Sequence, residues 1–375
     1  MIPLFESVPN FAEGRDPAVV GRISAAATAG GLHLLDSSSD HDHHRLVLSL
    51  AGSQPVSGLF AAIAEAVSAI DLRSHLGVHP RRGAADVVPI VPLGSTSVAS
   101  CLAVAQDLGE QVWSRLRVPV YFYGLAGAHT LAAIRSPSPP PFDLGSSLHP
   151  SAGAVSIGVR QPLVAYNLVL DGVSLPAARE VASSLRESSG GVPGIQALVF
   201  EVAAGVQLSL NLTRLEETPP ARARAEAERR LPAGGSVASE EVVGLCPVGA
   251  AAGCPAADGR LLEARLAAGA SGAAALLCRS LAAGSARSEE MAGLARRLAE
   301  EAAALSRLGF GDALAGAERA EAVRRVLAAG GVAEAELDGM LSVAARGFRA
   351  ALTAEEVGRF PERVAALDRW LAEAP

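Results

Sequence analysis

Short apolar runs alternate with amphipathic helical patterns from residue 3 to residue 245, and this order most constrains how the chain can fold. In the first part, strands are predicted at 3–9, 32–35, 45–50, 86–91 and 118–123, with helices at 17–27, 55–70 and 97–116. After a proline-rich break at 136–142, strands are predicted at 163–170, 195–202, 206–212 and 241–245, with helices at 175–186 and 220–231. The second series runs strand–helix–strand–strand–helix–strand, and the first approximates it with an extra helix and strand.

This repeated order predicts an α+β fold, in which two ferredoxin-like α/β subdomains lie side by side with a ligand cleft between them. The predicted subdomains are residues 1–135 and 143–255, divided at the proline-rich break. Residues 260–375 are rich in Ala, Leu, Glu and Arg and are predicted to form an all-helical region. An amphipathic stripe there consists of Met291, Leu294, Leu298, Ala302 and Leu305. It indicates a helical bundle or a dimerisation element.

Composition narrows the class of function. Half of the residues are apolar but only 4% are aromatic, so the core must consist mainly of Ala, Val and Leu. The net charge of -7 argues against nucleic-acid binding, and no apolar run approaches the roughly 20 residues of a membrane span. The N-terminus lacks the pattern of a signal peptide, so a cytoplasmic protein is expected. The chain has no lysine, which excludes Schiff-base chemistry and P-loop nucleotide binding, and its four cysteines lack a zinc-site spacing.

The stretch 74–87 concentrates groups that suit a proton-transferring site for an acidic substrate. It contains two histidines, two adjacent arginines and an aspartate. Histidine titrates near neutral pH, and arginine can hold a carboxylate in a forked geometry. Pro80 excludes a regular strand and Gly83 allows a tight turn, so His79 is predicted on a loop before a strand. A surface histidine beside a turn is the alternative interpretation.

Polar residues elsewhere leave further alternatives open. Residues 36–45 hold three histidines and three aspartates, which suit either a metal site or a polar loop beside a substrate cleft. Residues 143–153 form either a loop that exposes backbone to a flat heterocycle or an ordinary interdomain loop. Asn10 could cap the next helix or point into a cleft. Asn167, in an apolar strand, could tie two strands together or face a ligand.

In order along the chain, these stretches resemble the formiminotransferase domain of the formiminotransferase-cyclodeaminase family, which includes the bacterial glutamate formimidoyltransferases. The matching segments are 8–14 (VPNFAEG), 34–36 (LLD), 42–45 (DHHR), 75–84 (HLGVHPRRGA), 118–124 (VPVYFYG), 157–160 (IGVR) and 243–247 (VGLCP). The similarity is colinear over roughly residues 1–250. Departures from the family pattern are Ser38 for an aspartate, Leu125 for a glutamate and Ala152 for a tryptophan.

The resemblance implies two α/β subdomains around a folate cleft, and transfer of a formimino group from N-formimino-L-glutamate to tetrahydrofolate. His79 matches the family's catalytic histidine, and Asp36 or Asp40 would orient its imidazole. The residues expected to bind the substrate or folate are Asn10, His44, Arg45, Arg81, Arg82, Gly145, Ser146, Ser147, Leu148, His149, Pro150, Ser151, Ala152, Gly153 and Asn167. Tetrahydrofolate is expected as co-substrate, with no metal, and a homodimer is implied.

One excluded activity and two alternative functions accompany this interpretation. The C-terminal region is too short and lacks the glycine triplet of a cyclodeaminase domain, so no cyclodeaminase activity is predicted. The main alternative function is a folate-binding protein of the same fold without this transferase activity or with another substrate. A metal-dependent hydrolase that uses His41, His43 and His79 is the third class.

Overall fold

The structure is a computed structural model with two β-sheets and helices, so the predicted mixed α+β class is confirmed. It describes residues 3–93, 96–262, 265–266, 342, 346, 349, 357 and 361–373.

The first sheet has seven strands. They are β1 (Leu4–Ser7), β2 (Asn10–Phe11), β3 (His33–Asp40), β4 (Arg45–Gly52), β5 (Ala85–Leu93), β6 (Val120–Gly124) and β7 (Val155–Val159). β3 pairs with β4, and β1 and β2 follow one another between β4 and β5. These pairings are antiparallel, whereas β5, β7 and β6 pair in parallel. The helices of this unit are α1 (Pro17–Ala29), α2 (Pro55–Ala69), α3 (Val98–Gln111) and the short α4 (Leu131–Ile134).

One face of this sheet is covered by helices and the other carries polar groups. Along β4, Leu46, Leu48 and Leu50 are fully buried in the core that includes Ile23 of α1 and Ile63 of α2. Successive side chains of a strand point to opposite faces, so Arg45, Val47 and Ser49 lie on the other face. A substrate site is therefore expected on that second face, which we call the polar face.

The second sheet has four antiparallel strands in the order β11-β8-β10-β9. Its elements are β8 (Val164–Asp171), α5 (Leu175–Leu185), β9 (Ile195–Val202), β10 (Gly205–Leu212), α6 (Pro220–Glu228) and β11 (Ser236–Val243). This is the order of elements predicted for the second half. Its helices pack on Tyr166, Leu168 and Leu210, so Asn167 and Ser209 lie on the opposite face.

Two elements of the first sheet differ from the sequence prediction. β7 follows the proline-rich stretch but pairs with β5 and β6, so the change of sheet falls after the predicted boundary at 136–142. β3 continues through Asp36–Asp40, where a polar connection was expected, because these residues pair in register with β4. Polar side chains are tolerated there because alternate residues of β3 share the polar face with Arg45 and Ser49.

The predicted C-terminal helical region is described only in part. Helix α7 (Pro361–Glu373) is present, and the Arg349 Nε donates to Asp368 at 2.6 Å. The apolar stripe Met291–Leu305 lies outside the described residues.

Glu6 on β1 is a buried acid on the polar face, only 5% exposed. Burial raises the pKa of its carboxyl to about 7, and the positive charge of Arg160 offsets this only in part. A carboxyl whose pKa is raised by folding stabilises the fold below its unfolded pKa, and this contribution is lost as pH rises towards the folded value. The free energy of unfolding is therefore lowered between about pH 4.5 and pH 7.

Replacing Glu6 by Gln is expected to raise the free energy of unfolding at pH 8 by about 3 kcal/mol, because a neutral amide has no proton to lose. The gain should shrink as the pH is lowered towards 5. Urea unfolding at both pH values measures it, with Glu65→Gln as control, since Glu65 pairs with Arg22 at the surface. An equal effect of Glu6→Gln at pH 5 and pH 8 would contradict the prediction.

Candidate active site

His79 lies on the loop between α2 and β5, where the two sheets meet. Its imidazole is stacked on the ring of Phe200 in β9, with centroids 5.5 Å apart and planes 29° apart. The loop is folded around Arg81, whose guanidinium donates to the carbonyl oxygens of His75 (2.6 Å), Gly77 (3.2 Å) and His79 (3.2 Å). The predicted loop position of His79 is confirmed, and the loop is held by its own arginine.

Behind His79 is a buried charge network centred on Asp86, which is 1% exposed. Its Oδ2 accepts from Arg135 Nη2 at 2.7 Å and from Arg45 Nη1 at 3.2 Å, and its Oδ1 accepts from the Arg82 N–H at 2.7 Å. These contacts hold the pKa of Asp86 below its ordinary value although burial alone would raise it. The carboxylate thus positions two guanidinium groups beside the histidine.

A β-bulge explains how Asp86 reaches this position. The pairing of β2 with β5 shifts between Asn10–Val87 and Phe11–Ala85, which leaves Asp86 as an extra residue. Asn10 also faces the network, since its Oδ1 accepts from Arg45 Nε at 2.9 Å. The cap of α1 is Asp16, so of the two roles predicted for Asn10 the structure shows the position beside the site.

The surroundings of His79 determine its protonation. Its Nδ1 lies 2.7 Å from the carbonyl oxygen of Pro80 and 2.9 Å from Arg45 Nη1. A carbonyl can only accept and a guanidinium can only donate, so Nδ1 satisfies one of them at a time. With the proton on Nδ1 towards Pro80, Nε2 keeps its lone pair and can act as a base. Burial, together with the charges of Arg45 and Arg135, lowers the pKa of His79 to about 2, so the imidazole is neutral near pH 7.

Three more histidines surround this group. His44 stacks on His75 with centroids 4.0 Å apart, and its Nδ1 accepts the N–H of Gly14 at 3.1 Å. Burial and the charge of Arg81 lower the pKa of His75 to about 4. His43 lies edge-on to Phe200 at 4.9 Å and to His79 at 5.9 Å. The site is therefore walled by imidazole rings as well as by arginines.

The predicted supporting carboxylates are engaged elsewhere. Asp36 pairs with Arg260 at 3.4 Å, and Asp40 Oδ1 accepts the backbone N–H of His43 at 2.6 Å. Asp40 therefore shapes the loop 41–44. Asp42 Oδ2 of this loop accepts the N–H of Ala203 at 2.7 Å, which attaches the loop to the β9–β10 hairpin. The acid that acts on the surroundings of His79 is Asp86, through Arg45.

The loop 145–153 packs against the loop of His79. The carbonyl of Ser151 accepts the N–H of Leu72, and the carbonyl of Ala152 accepts the N–H of Ala84. Gly153 approaches so closely that an added Cβ would lie 2.1 Å from the Arg82 carbonyl oxygen. A cavity of about 450 Å³ is lined by Leu72, Gly77, Val78, His79, Pro80 and Arg81. At the exposed end of loop 145–153 are Ser146, Ser147, Leu148 and Pro150, with His149 partly buried.

Two other predicted binding residues have partners within the protein. Arg82 donates through Nε to the Ile134 carbonyl at 2.9 Å and through Nη2 to the Ser136 carbonyl, and so fastens the segment after α4. Asn167 is half-buried, and its Nδ2 donates to Glu241 of β11 at 3.3 Å. Of the two roles open for Asn167, the structure shows the one that ties strands together.

The structure describes no group of three or more His, Cys, Asp or Glu side chains that could hold a metal ion. His41, one member of the alternative metal set, is 77% exposed beside Asp42. In the part of the chain that the structure describes, no helix is long and apolar enough to cross a membrane.

Sequence reasoning did not select Asp86, Arg135 or Phe200 as site residues, and it considered His43 only as a possible metal ligand. Asp86 stands in the same stretch as His79, but only the bulge aims it at Arg45. His43 stands in the histidine-rich loop, whose composition was a usable signal. Phe200 lies in an ordinary apolar strand far along the chain, and nothing in its local sequence marks it.

Comparison with known proteins places the chain among enzymes of one family. The family described as "Formiminotransferase domain, N-terminal subdomain" matches residues 4–160. The chain is 38% identical over 272 residues to the glutamate formimidoyltransferase of Thermoplasma acidophilum, covering 65% of this chain and 88% of that protein. It is 32% identical over 272 residues to the glutamate formimidoyltransferase of Streptococcus pyogenes serotype M1, covering 66% of this chain and 90% of that protein.

A longer relative shows the same region in another context. The formimidoyltransferase-cyclodeaminase of Rattus norvegicus is 36% identical over 281 residues, covering 66% of this chain and 51% of that protein. The matched part of this chain includes the His79 loop and the first sheet. The chain therefore belongs to the formiminotransferase family.

Proposed function

We propose that this chain is a glutamate formimidoyltransferase, which transfers the formimino group of N-formimino-L-glutamate to tetrahydrofolate. The observation that carries the proposal is His79, a neutral imidazole with a base nitrogen available, set against the guanidinium groups of Arg45 and Arg135. Both substrates carry carboxylates, which suit guanidinium groups, and the transfer needs a group that moves a proton between two nitrogens. The family membership supports the same reaction.

In this mechanism N5 of tetrahydrofolate attacks the formimino carbon and a tetrahedral intermediate forms. His79 Nε2 accepts the N5 proton and returns it to the glutamate nitrogen, as general base and then general acid. The bond from carbon to N5 forms while the bond from carbon to the glutamate nitrogen breaks, and one proton moves between these nitrogens.

Substrate binding would strengthen His79 as a base. The positive charges of Arg45 and Arg135 lower the pKa of His79. A negative charge placed next to these arginines would offset their effect on the imidazole. A substrate carboxylate beside either guanidinium would therefore raise the pKa of His79 towards its ordinary range. The acidic substrate thus activates the group that acts on it.

The proposal also covers the arrangement of the two units, the folate site and the oligomeric state. The second unit follows the strand–helix–strand–strand–helix–strand order, and the first unit contains it with the short β2 near its start and with α3, β6, α4 and β7 added after β5. We assign them as two ferredoxin-like subdomains with the folate cleft between them, bordered by the loop from Gly145 to Gly153. Tetrahydrofolate would bind there as co-substrate, without a metal. A cytoplasmic homodimer, as the resemblance implies, completes the proposal.

The test is formimino transfer by the purified full chain with tetrahydrofolate and N-formimino-L-glutamate. We expect glutamate and 5-formiminotetrahydrofolate to form in equal amounts. Isothermal titration with tetrahydrofolate separates the alternatives: folate binding without turnover would favour a folate-binding protein and overturn the proposal.

A further inference from the structure

His43 is a buried histidine for which the protein supplies no hydrogen-bond partner. His43 is only 8% exposed, and neither nitrogen of its ring has a hydrogen-bond partner among the described residues. A neutral imidazole has one N–H donor and one acceptor nitrogen, and buried polar groups of native proteins are nearly always paired. Because both ring nitrogens of His43 lack a partner within the described protein, we expect a ligand to bind them.

The position of His43 is fixed by its backbone. Its N–H is bound by Asp40 Oδ1 at 2.6 Å, and the neighbouring Asp42 is attached to Ala203 of the second unit. The following residue, His44, has φ 48, the left-handed region that non-glycine residues seldom adopt. A loop held in this way on both sides presents the His43 ring in one place, next to His79 and Phe200.

A second unpaired group lies across the same ring of Phe200. Gln207 of β10 stands directly opposite Phe200 in the strand register, is buried, and its Nε2 has no hydrogen-bond partner among the described residues. Two buried polar side chains, one from the loop 41–44 and one from β10, thus lie beside Phe200, whose ring covers His79. This agrees with a polar ligand group bound at that point.

We infer that His43 binds the nitrogen of the formimino group that is being transferred, and stabilises it in the transition state. The inference rests on the proposed function. When N5 attacks the carbon, electron density moves onto this third nitrogen, which neither attacks nor leaves. An N–H of His43 directed at it supplies the hydrogen bond that an oxyanion hole supplies to oxygen.

The imidazole rings of His79 and His43 have different roles in this proposal. His79 has its Nδ1 engaged by Pro80, so only its Nε2 is available for the proton that passes from N5 to the glutamate nitrogen. No protein group fixes the tautomer of His43 among the described residues, so its ring can present an N–H to the formimino nitrogen. As the intermediate collapses, the lone pair on this nitrogen re-forms the carbon–nitrogen double bond while the bond from carbon to the glutamate nitrogen breaks, and His43 keeps its proton.

The experiment compares His43→Leu with His43→Asn in the full chain, because Leu and Asn are nearly equal in size but only Asn can donate a hydrogen bond. We expect kcat for formimino transfer to fall about 100-fold in His43→Leu, the loss typical of removing one such donor, and to fall markedly less in His43→Asn. Tetrahydrofolate affinity, measured by titration, should be unchanged in both. His41→Leu, in the same loop but exposed, is the matched control and should keep the kcat of the unchanged protein.

The inference is overturned if His43→Leu keeps kcat within a few-fold of the unchanged protein, or if the Leu and Asn variants lose equal activity. If either variant fails to fold, His43→Met and His43→Gln form a second pair of similar size, in which only Gln can donate a hydrogen bond. Absence of transfer by the unchanged protein would overturn the proposed function itself, and this inference with it. If the unchanged protein is active but His43→Leu keeps its kcat, this inference alone would be overturned.

Discussion

Replacing His79 by Gln is expected to lower kcat for formimino transfer by about 100- to 10,000-fold, the contribution usual for a positioned acid–base group. Gln can still form hydrogen bonds, but it cannot accept the N5 proton and return it to the glutamate nitrogen. The measurement is steady-state transfer with both substrates saturating. His41→Gln removes an exposed imidazole 77% open to solvent and serves as control. Activity of His79→Gln within a few-fold of the unchanged protein would remove His79 from the mechanism.

The charge state of His79 gives this prediction a second readout. Its pKa is lowered to about 2 by burial and by Arg45 and Arg135, so the ligand-free imidazole should not take up a proton between pH 5 and pH 8. Nuclear magnetic resonance of the His79 ring protons over this range measures it directly. A titration midpoint near 6.5, the value of a solvated histidine, would show that the arginines do not act on the ring as the structure indicates.

The second large effect is expected at Asp86. Replacing it by Ala should lower the free energy of unfolding by about 3–5 kcal/mol, because breaking a buried ion pair leaves an uncompensated charge. Arg45 and Arg135 would both lose this partner, and so would the Arg82 N–H. Urea unfolding at pH 7 measures the change. Asp71→Ala is the surface control, since Asp71 pairs with Arg73 in the open and exposed ion pairs contribute little to stability.

The sign of the pH dependence follows from the same contacts. The folded-state pKa of Asp86 is held below its ordinary value of 3.8, chiefly by Arg135 and Arg45 against the effect of burial. The stabilisation is therefore present above about pH 4 and is lost as the pH falls through the folded-state value. The difference between Asp86→Ala and the unchanged protein should narrow in acid. A loss below 1 kcal/mol at pH 7 would contradict a stabilising charge network around Asp86.

The sequence predicted more of the fold than of the site. Periodicity located β4, α2, β8 and the β9–β10 hairpin because each element has a repeating apolar side. It missed β7 (Val155–Val159), because this short strand follows a proline-rich stretch and is joined to the sheet by parallel pairing with distant strands. It also ended β3 early, because polar residues on an open sheet face resemble a loop.

The site shows the same division at the level of single residues. His79 could be selected because its own stretch carries the histidine, arginines and turn residues together. Asp36 and Asp40 were predicted to support it because they are near the matching motif, yet they contact Arg260 and the His43 N–H instead. Phe200 stacks on His79, and Arg135 reaches Asp86 behind it, only through the packing of segments far apart in the chain.

By itself, the sequence determined the order of elements in the second unit, the loop position of His79 and the absence of lysine chemistry, because these depend on local patterns and composition. The tertiary structure alone decided which charges act on His79. A bulge aims Asp86 at Arg45, and the second sheet places Phe200 over the imidazole. The physical reason is that burial and Coulomb interactions depend on distance in space, and a protonation state is set by neighbours that the order of residues does not reveal.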